Sequence, residues 1–139
     1  VERSRGLGDV YKRQVDIRSP DINKLVKMEN ELKQMTTDIC KKYKIEFEMD
    51  QIGGFDPVAF DKECLNNIRN SANKFGYSHK DIVSGAGHDA CWINTVAPSA
   101  MIMCPCVDGL SHNEAEEIKP EWASSSTNVM LHAAIASAT

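Results

Sequence analysis

The sequence predicts an α/β chain, and three observations carry that expectation. Ile45, Phe47 and Met49 alternate with Glu46, Glu48 and Asp50, the two-residue period of a strand with one dry and one wet face. Leu25, Met28, Leu32, Met35 and Ile39 recur every three or four residues, the stripe of an amphipathic helix. Ala100 to Met103 is a short, wholly apolar run between a Pro98-Ser99 turn and Pro105, which suits a buried strand.

The elements follow in order. Val15-Asp16-Ile17-Arg18 reads as the end of a strand. Ser19-Pro20-Asp21 then supplies a capping hydroxyl, a proline at the first helical position and an acid in the first turn. Lys41, Lys42 and Lys44 close that helix at the negative end of its dipole. The strand centred on Phe47 completes a β-α-β unit from Val15 to Gln51, too small to bury its helix alone and so expected within a larger sheet. Gly53-Gly54 marks a hinge or domain crossing. Asp56-Pro57 is expected to open a second helix that turns Leu65, Ile68, Ala72 and Phe75 inward and stops at Gly76. Ile82-Val83 leads into a glycine turn, with a short helix starting near His88. Ser124 or Ser125 is expected to cap a last helix whose Val129, Met130, Ala133, Ala134 and Ala138 face a sheet. There are no internal repeats.

Residues 1–14 stand apart. They lack apolar periodicity and an initiator Met, and carry a net charge of +2 from four basic and two acidic side chains. Against a total of -4, the remainder carries -6. The string resembles translated sequencing-adapter read-through and is expected to be a non-native leader, a disordered natural N-terminus being the alternative. A gene broken on its 5′ side would look like this.

Composition narrows the function classes. At 139 residues and 42% hydrophobic, the chain is long enough for a real core. An acidic balance without a basic stripe argues against a nucleic-acid partner. No apolar run approaches the roughly 18 residues that span a bilayer, and no secretory leader is visible. Five cysteines form an odd set without regular spacing, so reduced thiols in a cytoplasmic protein are expected. Cys104-Pro105-Cys106 lacks the spacing and the second pair of a zinc site and is read as two small side chains at a strand end.

Two glycine-rich turns each deliver a histidine: Ser84-Gly85-Ala86-Gly87-His88-Asp89-Ala90 and Gly109-Leu110-Ser111-His112-Asn113. In an open α/β sheet such turns lie at strand ends, where ligands bind. Gly85 and Gly87 let backbone N–H groups approach an anionic or carbonyl oxygen. His88 alone is equally a helix-start residue whose ring a neighbour such as Asp89 holds. An imidazole on a loop such as that of His112 suits Zn²⁺ or Mn²⁺, although a lone loop histidine is commonly a surface or capping group. Glu114, Glu116 and Glu117 are read as a solvated acidic run. His79 and His132 belong to no motif.

These two strings, with Asp16-Ile17-Arg18, resemble the metal-dependent N-carbamoyl-L-amino-acid and allantoate amidohydrolases, the hydantoinase/carbamoylase-type amidases of the zinc-aminopeptidase-like superfamily. The likeness covers about Val15 to Ala138 and the C-terminal third of a family member. It implies that residues 15–55 end a ferredoxin-like lid and dimerisation domain, and that residues 56–139 return into a mixed-sheet catalytic domain. It further implies that His112 is the last metal ligand. The turn Gly85, Ala86, Gly87 and His88 then lines the substrate pocket, with His88 touching substrate or polarising the scissile carbonyl. Arg18 clamps the substrate's carboxylate through its guanidinium fork, with Asp16 as a structural partner. Taken alone, Arg18 reads as a surface charge.

In the intact parent, the resemblance implies two divalent metal ions, zinc or manganese, about 3.5–4 Å apart and polarising a water. A small-molecule substrate bearing a carboxylate and a homodimeric assembly are implied as well. The family's upstream His-x-Asp pair, bridging Asp, Glu-Glu pair and middle His do not occur in the native-looking sequence, so no catalytic residue is assigned. This chain alone is expected to be inactive, since one ligand cannot hold a metal pair. The alternatives are a relative that cleaves N-acyl amino acids or dipeptides, and a non-catalytic α/β binding module.

Overall fold

The computed structural model describes residues 11–138, so residues 1–10 of the expected leader lie outside the described residues. The chain divides into two compact units, Val1–Pro57 and Val58–Thr139; the sequence reading places a junction between residues 55 and 56.

The first unit is built on α1 (Ile22–Tyr43). Its N-cap is Asp21, whose Oδ1 accepts the N–H groups of Asn23 (2.9 Å) and Lys24 (3.4 Å). Ser19, the expected cap, instead accepts the Asp21 N–H through Oγ at 3.1 Å and orders the approach. A carboxylate is the better partner for the positive helix end, so the start moves past Ser19-Pro20. At the other end Lys44 takes a left-handed conformation (φ 55°), and the Ile45 N–H reaches back to the Cys40 carbonyl at 2.9 Å. Lys41 and Lys42 occupy the last turn as expected.

No residue of α1 is buried. Leu25 and Leu32 are half-buried, whereas Met28, Met35 and Ile39 are 40%, 62% and 51% exposed. The stripe is present, but among the described residues of this unit no second layer covers it. Local pairs support the helix instead: Lys33 with Glu29, Lys27 with Glu31, and the Gln34 amide donating to the Asp38 carboxylate at 3.0 Å.

The second unit has its own small core. α2 (Lys62–Lys74) packs against α4 (Pro120–Ser137), and a one-and-a-half-turn helix, α3 (Asp89–Ile93), lies between them in sequence. The core is Ala72, Val129 and Ala133, with Ser71 buried beside them and its hydroxyl donating to the Asn67 carbonyl. Small residues on both helices allow close approach. Phe75 extends this core: its ring meets His132 edge-on at 4.8 Å and stacks on Tyr77 at 5.6 Å. Asn67 donates to the Ser137 hydroxyl (3.0 Å), and Asn128 to the Tyr77 hydroxyl (3.3 Å).

Two further helix starts differ from expectation. α2 begins at Lys62, because Asp61 and not Asp56 caps it, accepting the Cys64 N–H at 2.9 Å. The Asp61 N–H donates to the Ser99 carbonyl, which fixes the cap in place. The inward face is as read: Ala72 is buried, and Leu65, Ile68 and Phe75 are half-buried. The helix ends at Lys74 with Phe75 as its C-cap, and Gly76 takes φ 68° while the Tyr77 N–H bonds the Ala72 carbonyl.

α4 starts at Pro120, several residues before Ser124 and Ser125, with Lys119 as a cap that uses no side chain. Proline's fixed φ and missing donor suit that first position. Ser125 donates to the Glu121 carbonyl from inside the helix. Val129 and Ala133 are buried, but Met130, Ala134 and Ala138 are exposed. The neighbour is one helix and not a sheet, so only an i, i+4 stripe is covered.

The expected strands at Val15–Arg18, Ile45–Met49 and Ala100–Met103 are irregular, and no strand occurs among the described residues. A ladder needs a second edge at hydrogen-bonding distance. The Ile45 amide is spent on closing α1. The helical half of the α/β expectation is thus what the described residues display.

Candidate functional site

Arg18, in the first unit, is exposed and forks onto Asp16. Its Nε donates to both carboxylate oxygens, at 3.1 and 3.0 Å, and Nη2 also donates to Oδ2. The hydrogen bonds and charge of Arg18 hold the Asp16 carboxyl below its ordinary pKa, and Asp16 raises that of Arg18 in return.

In the second unit, the turn before α3 is organised by Ser84. Its Oγ accepts the Ala86 N–H at 3.2 Å and lies 2.7 Å from Nε2 of His88. His88 is half-buried at the N-cap of α3, with an extended backbone and no side-chain capping bond. Its ring is therefore held by the serine four residues back, where sequence reasoning suggests Asp89 as the neighbour.

The His112 loop carries three left-handed residues between positions 108 and 112. A single 3₁₀ turn, Val107–Gly109, contains Asp108 at φ 54° and Gly109 at φ 69°; His112 follows at φ 56°. Left-handed φ is uncommon for residues other than glycine. The loop is closed at its base by the Val107 N–H donating to the Glu117 carbonyl at 2.8 Å. At its tip the His112 N–H donates to Oε2 of Glu116 at 2.9 Å, and the Glu116 N–H donates to the Asn113 carbonyl at 3.0 Å. The Asn113 side-chain oxygen accepts the Ala115 N–H. His112 itself is exposed.

The Cys-Pro-Cys turn feeds this loop. Cys104 Sγ accepts the Ser126 hydroxyl of α4 at 3.2 Å, and Cys106 Sγ donates to Oε1 of Glu116 at 3.4 Å. The bond to Glu116, then burial, pushes the Cys106 thiol pKa up. Burial does the same to Cys64, where the Asp61 carboxylate adds to it. All five cysteines carry free thiols.

Glu116 was missed by sequence reasoning. The signal was its position four residues after His112, but a neighbouring run of acids hid it. Ser84 was passed over because serine before glycine is ordinary turn chemistry. His132 is packed on Phe75, and His79 Nδ1 lies 3.4 Å from the Tyr77 carbonyl.

Among the described residues no three His, Cys, Asp or Glu side chains converge as a metal site. The described residues thus present His112 without two further converging donors around it. A shallow cleft of about 470 Å³ lies between the stretch Ala59–Lys62 and Asn94, Val96, Ala97 and Pro98. None of the candidate residues lines it. Among the described residues no helix is long and apolar enough to cross a membrane.

The sequence profile of peptidase family M20/M25/M40 matches residues 2–136. The chain belongs to the M20/M25/M40 peptidase family. Among its relatives, an N-carbamoyl-L-amino-acid amidohydrolase of Rhizobium meliloti is 50% identical over 124 residues, 89% of this chain but 30% of that protein. An allantoate amidohydrolase of Escherichia coli K12 is 29% identical over 102 residues, 73% of this chain and 25% of the relative. The solved hydantoinase/carbamoylase-family amidase of Burkholderia multivorans matches with a TM-score of 0.78 and 47% identity, over 83% of this chain and 28% of that one. This M20/M25/M40 chain thus spans under a third of each of these proteins.

Proposed function

We propose that this chain is the C-terminal part of an amidohydrolase that cleaves the linear C–N bond of N-carbamoyl-L-amino acids. The observation that carries the reading is the 50% identity to a protein named for that activity, over 89% of the chain. The lower identity to an allantoate amidohydrolase makes allantoate-like ureido compounds the second substrate class.

Within that reading the residues divide by chemistry. Arg18 presents a planar fork whose match to a carboxylate is already displayed on Asp16, so substrate binding exchanges one carboxylate for another. Gly85, Ala86, Gly87 and His88 form the turn that faces the scissile group, with Ser84 orienting the His88 ring. His112 supplies one ligand to a pair of divalent ions, zinc or manganese, whose remaining ligands come from the rest of the protein. Those ions supply water activation when bound. Residues 15–55 belong to the lid, residues 56–139 to the catalytic domain, and residues 1–14 are not native. The parent is a cytoplasmic homodimer, and this chain by itself is catalytically silent.

The test uses the longer protein that contains this sequence. Ammonia release from N-carbamoyl-L-amino acids, allantoate and N-acyl amino acids identifies the substrate class. His112→Ala should lower bound metal and reduce kcat by more than about a hundredfold, the scale of losing a group the transition state needs. Undiminished metal content and rate would remove His112 from the site. Turnover confined to N-acyl amino acids would overturn the ureido reading.

A further inference from the structure

Glu116 does something that its acidic neighbours do not. His112 has a left-handed backbone (φ 56°), a region uncommon for residues other than glycine, though histidine enters it more readily than most. Its N–H meets Oε2 of Glu116 at 2.9 Å. The other oxygen of the same carboxylate accepts the Cys106 thiol at 3.4 Å, across the loop. The Glu116 N–H closes the turn on the Asn113 carbonyl at 3.0 Å. One side chain therefore ties the tip of the loop to its entry. Among the described residues Glu117 contributes its carbonyl, to Val107, at the base.

We propose that Glu116 is a positioning residue: its carboxylate clamps the His112 backbone to Cys106 and so sets the direction in which the imidazole projects. The clamp's relevance to catalysis rests on the role given to His112 above; its existence does not. Both oxygens are engaged, so the alanine variant loses two bonds, whereas glutamine keeps a carbonyl acceptor for the His112 N–H.

Amide hydrogen exchange followed by NMR on the 139-residue chain tests this without metal or turnover. In Glu116→Ala the His112 amide should exchange about tenfold faster, the effect of losing one net hydrogen bond, while Val107 keeps its protection. Glu116→Gln should hold the His112 rate within about threefold of the unsubstituted chain, because an acceptor remains. Glu114→Ala should change neither amide. An unchanged His112 rate in Glu116→Ala would overturn the proposal. So would loss of Val107 protection in parallel, which would make Glu116 a general loop stabiliser, or a glutamine variant as fast as alanine. A His112 amide already at its unfolded rate in the unsubstituted chain would overturn it as well. Failure here leaves the amidohydrolase reading intact, and a failed turnover assay leaves the clamp intact.

Discussion

Val129→Ala is the substitution that most directly tests where the folding energy of this chain resides. Val129 is 6% exposed, on the face of α4 that packs against α2, whose Ala72 is 4% exposed. The change deletes two buried methyl groups, worth about 1.6 kcal/mol at roughly 0.8 kcal/mol per carbon. Incomplete collapse around the gap raises the loss to about 2 kcal/mol. Alanine's better helix propensity returns about 0.5 kcal/mol, leaving a net destabilisation near 1.5 kcal/mol. For a unit of this size the midpoint of thermal unfolding should fall by about 6–12 °C. Circular dichroism at 222 nm reports the helices, and the His132 ring protons, shifted by Phe75 at 4.8 Å, report the α2–α4 contact. Val26→Ala on α1 is the control, since Val26 is 48% exposed. There the smaller burial loss and the same propensity gain cancel to about zero. A Val129→Ala midpoint within about 2 °C of the parent, or an equal fall in Val26→Ala, would refute this account of the core.

Two other outcomes follow from the local geometry. Asp61 has a lowered folded pKa, chiefly because it accepts the Cys64 N–H, so its contribution is complete above the unfolded value near 3.8 and is lost as pH falls through the folded value. Asp61→Asn should therefore flatten the acid limb of a stability-versus-pH curve below pH 4, and an unaltered limb would remove Asp61 from the acid transition. Gly109 sits at φ 69° with nothing within 4 Å of where a Cβ would stand, so Gly109→Ala meets no clash but incurs a left-handed backbone cost of about 1–2 kcal/mol. Chemical-shift changes confined to residues 107–117 would locate that cost in the loop, and an unperturbed spectrum would contradict the strained turn.

What was legible in the sequence was local. The α1 stripe, the inward face of α2 and the short helix after His88 all follow from periodicity and capping, which act within a few residues. The starts of α1 and α2 lie elsewhere than expected because several caps competed, and that of α4 because Pro120 opens it without a side-chain cap. Asp61 won through a backbone bond to Ser99, a contact between residues far apart in sequence. The expected strands are irregular among the described residues for a related reason: alternation reports which side of a segment is apolar, but a ladder needs a partner edge that the segment does not specify. At the candidate site, the motifs singled out Arg18, His88 and His112. The groups that hold the two histidines, Ser84 and Glu116, emerged only from distances.

The Cys104-Pro105-Cys106 turn has a mechanical consequence. Cys104 is tethered to Ser126 on the packed helix α4, and Cys106 to Glu116 beneath His112. With proline's fixed φ between the two anchors, the turn behaves as a stiff strut between a helix pair and an exposed loop. Among the described residues, the helix pair is the only part of the second unit with buried side chains. The loop thus borrows its rigidity from a distant core, and the steadiness of the imidazole is set as much by how firmly α4 is seated as by anything within the loop itself.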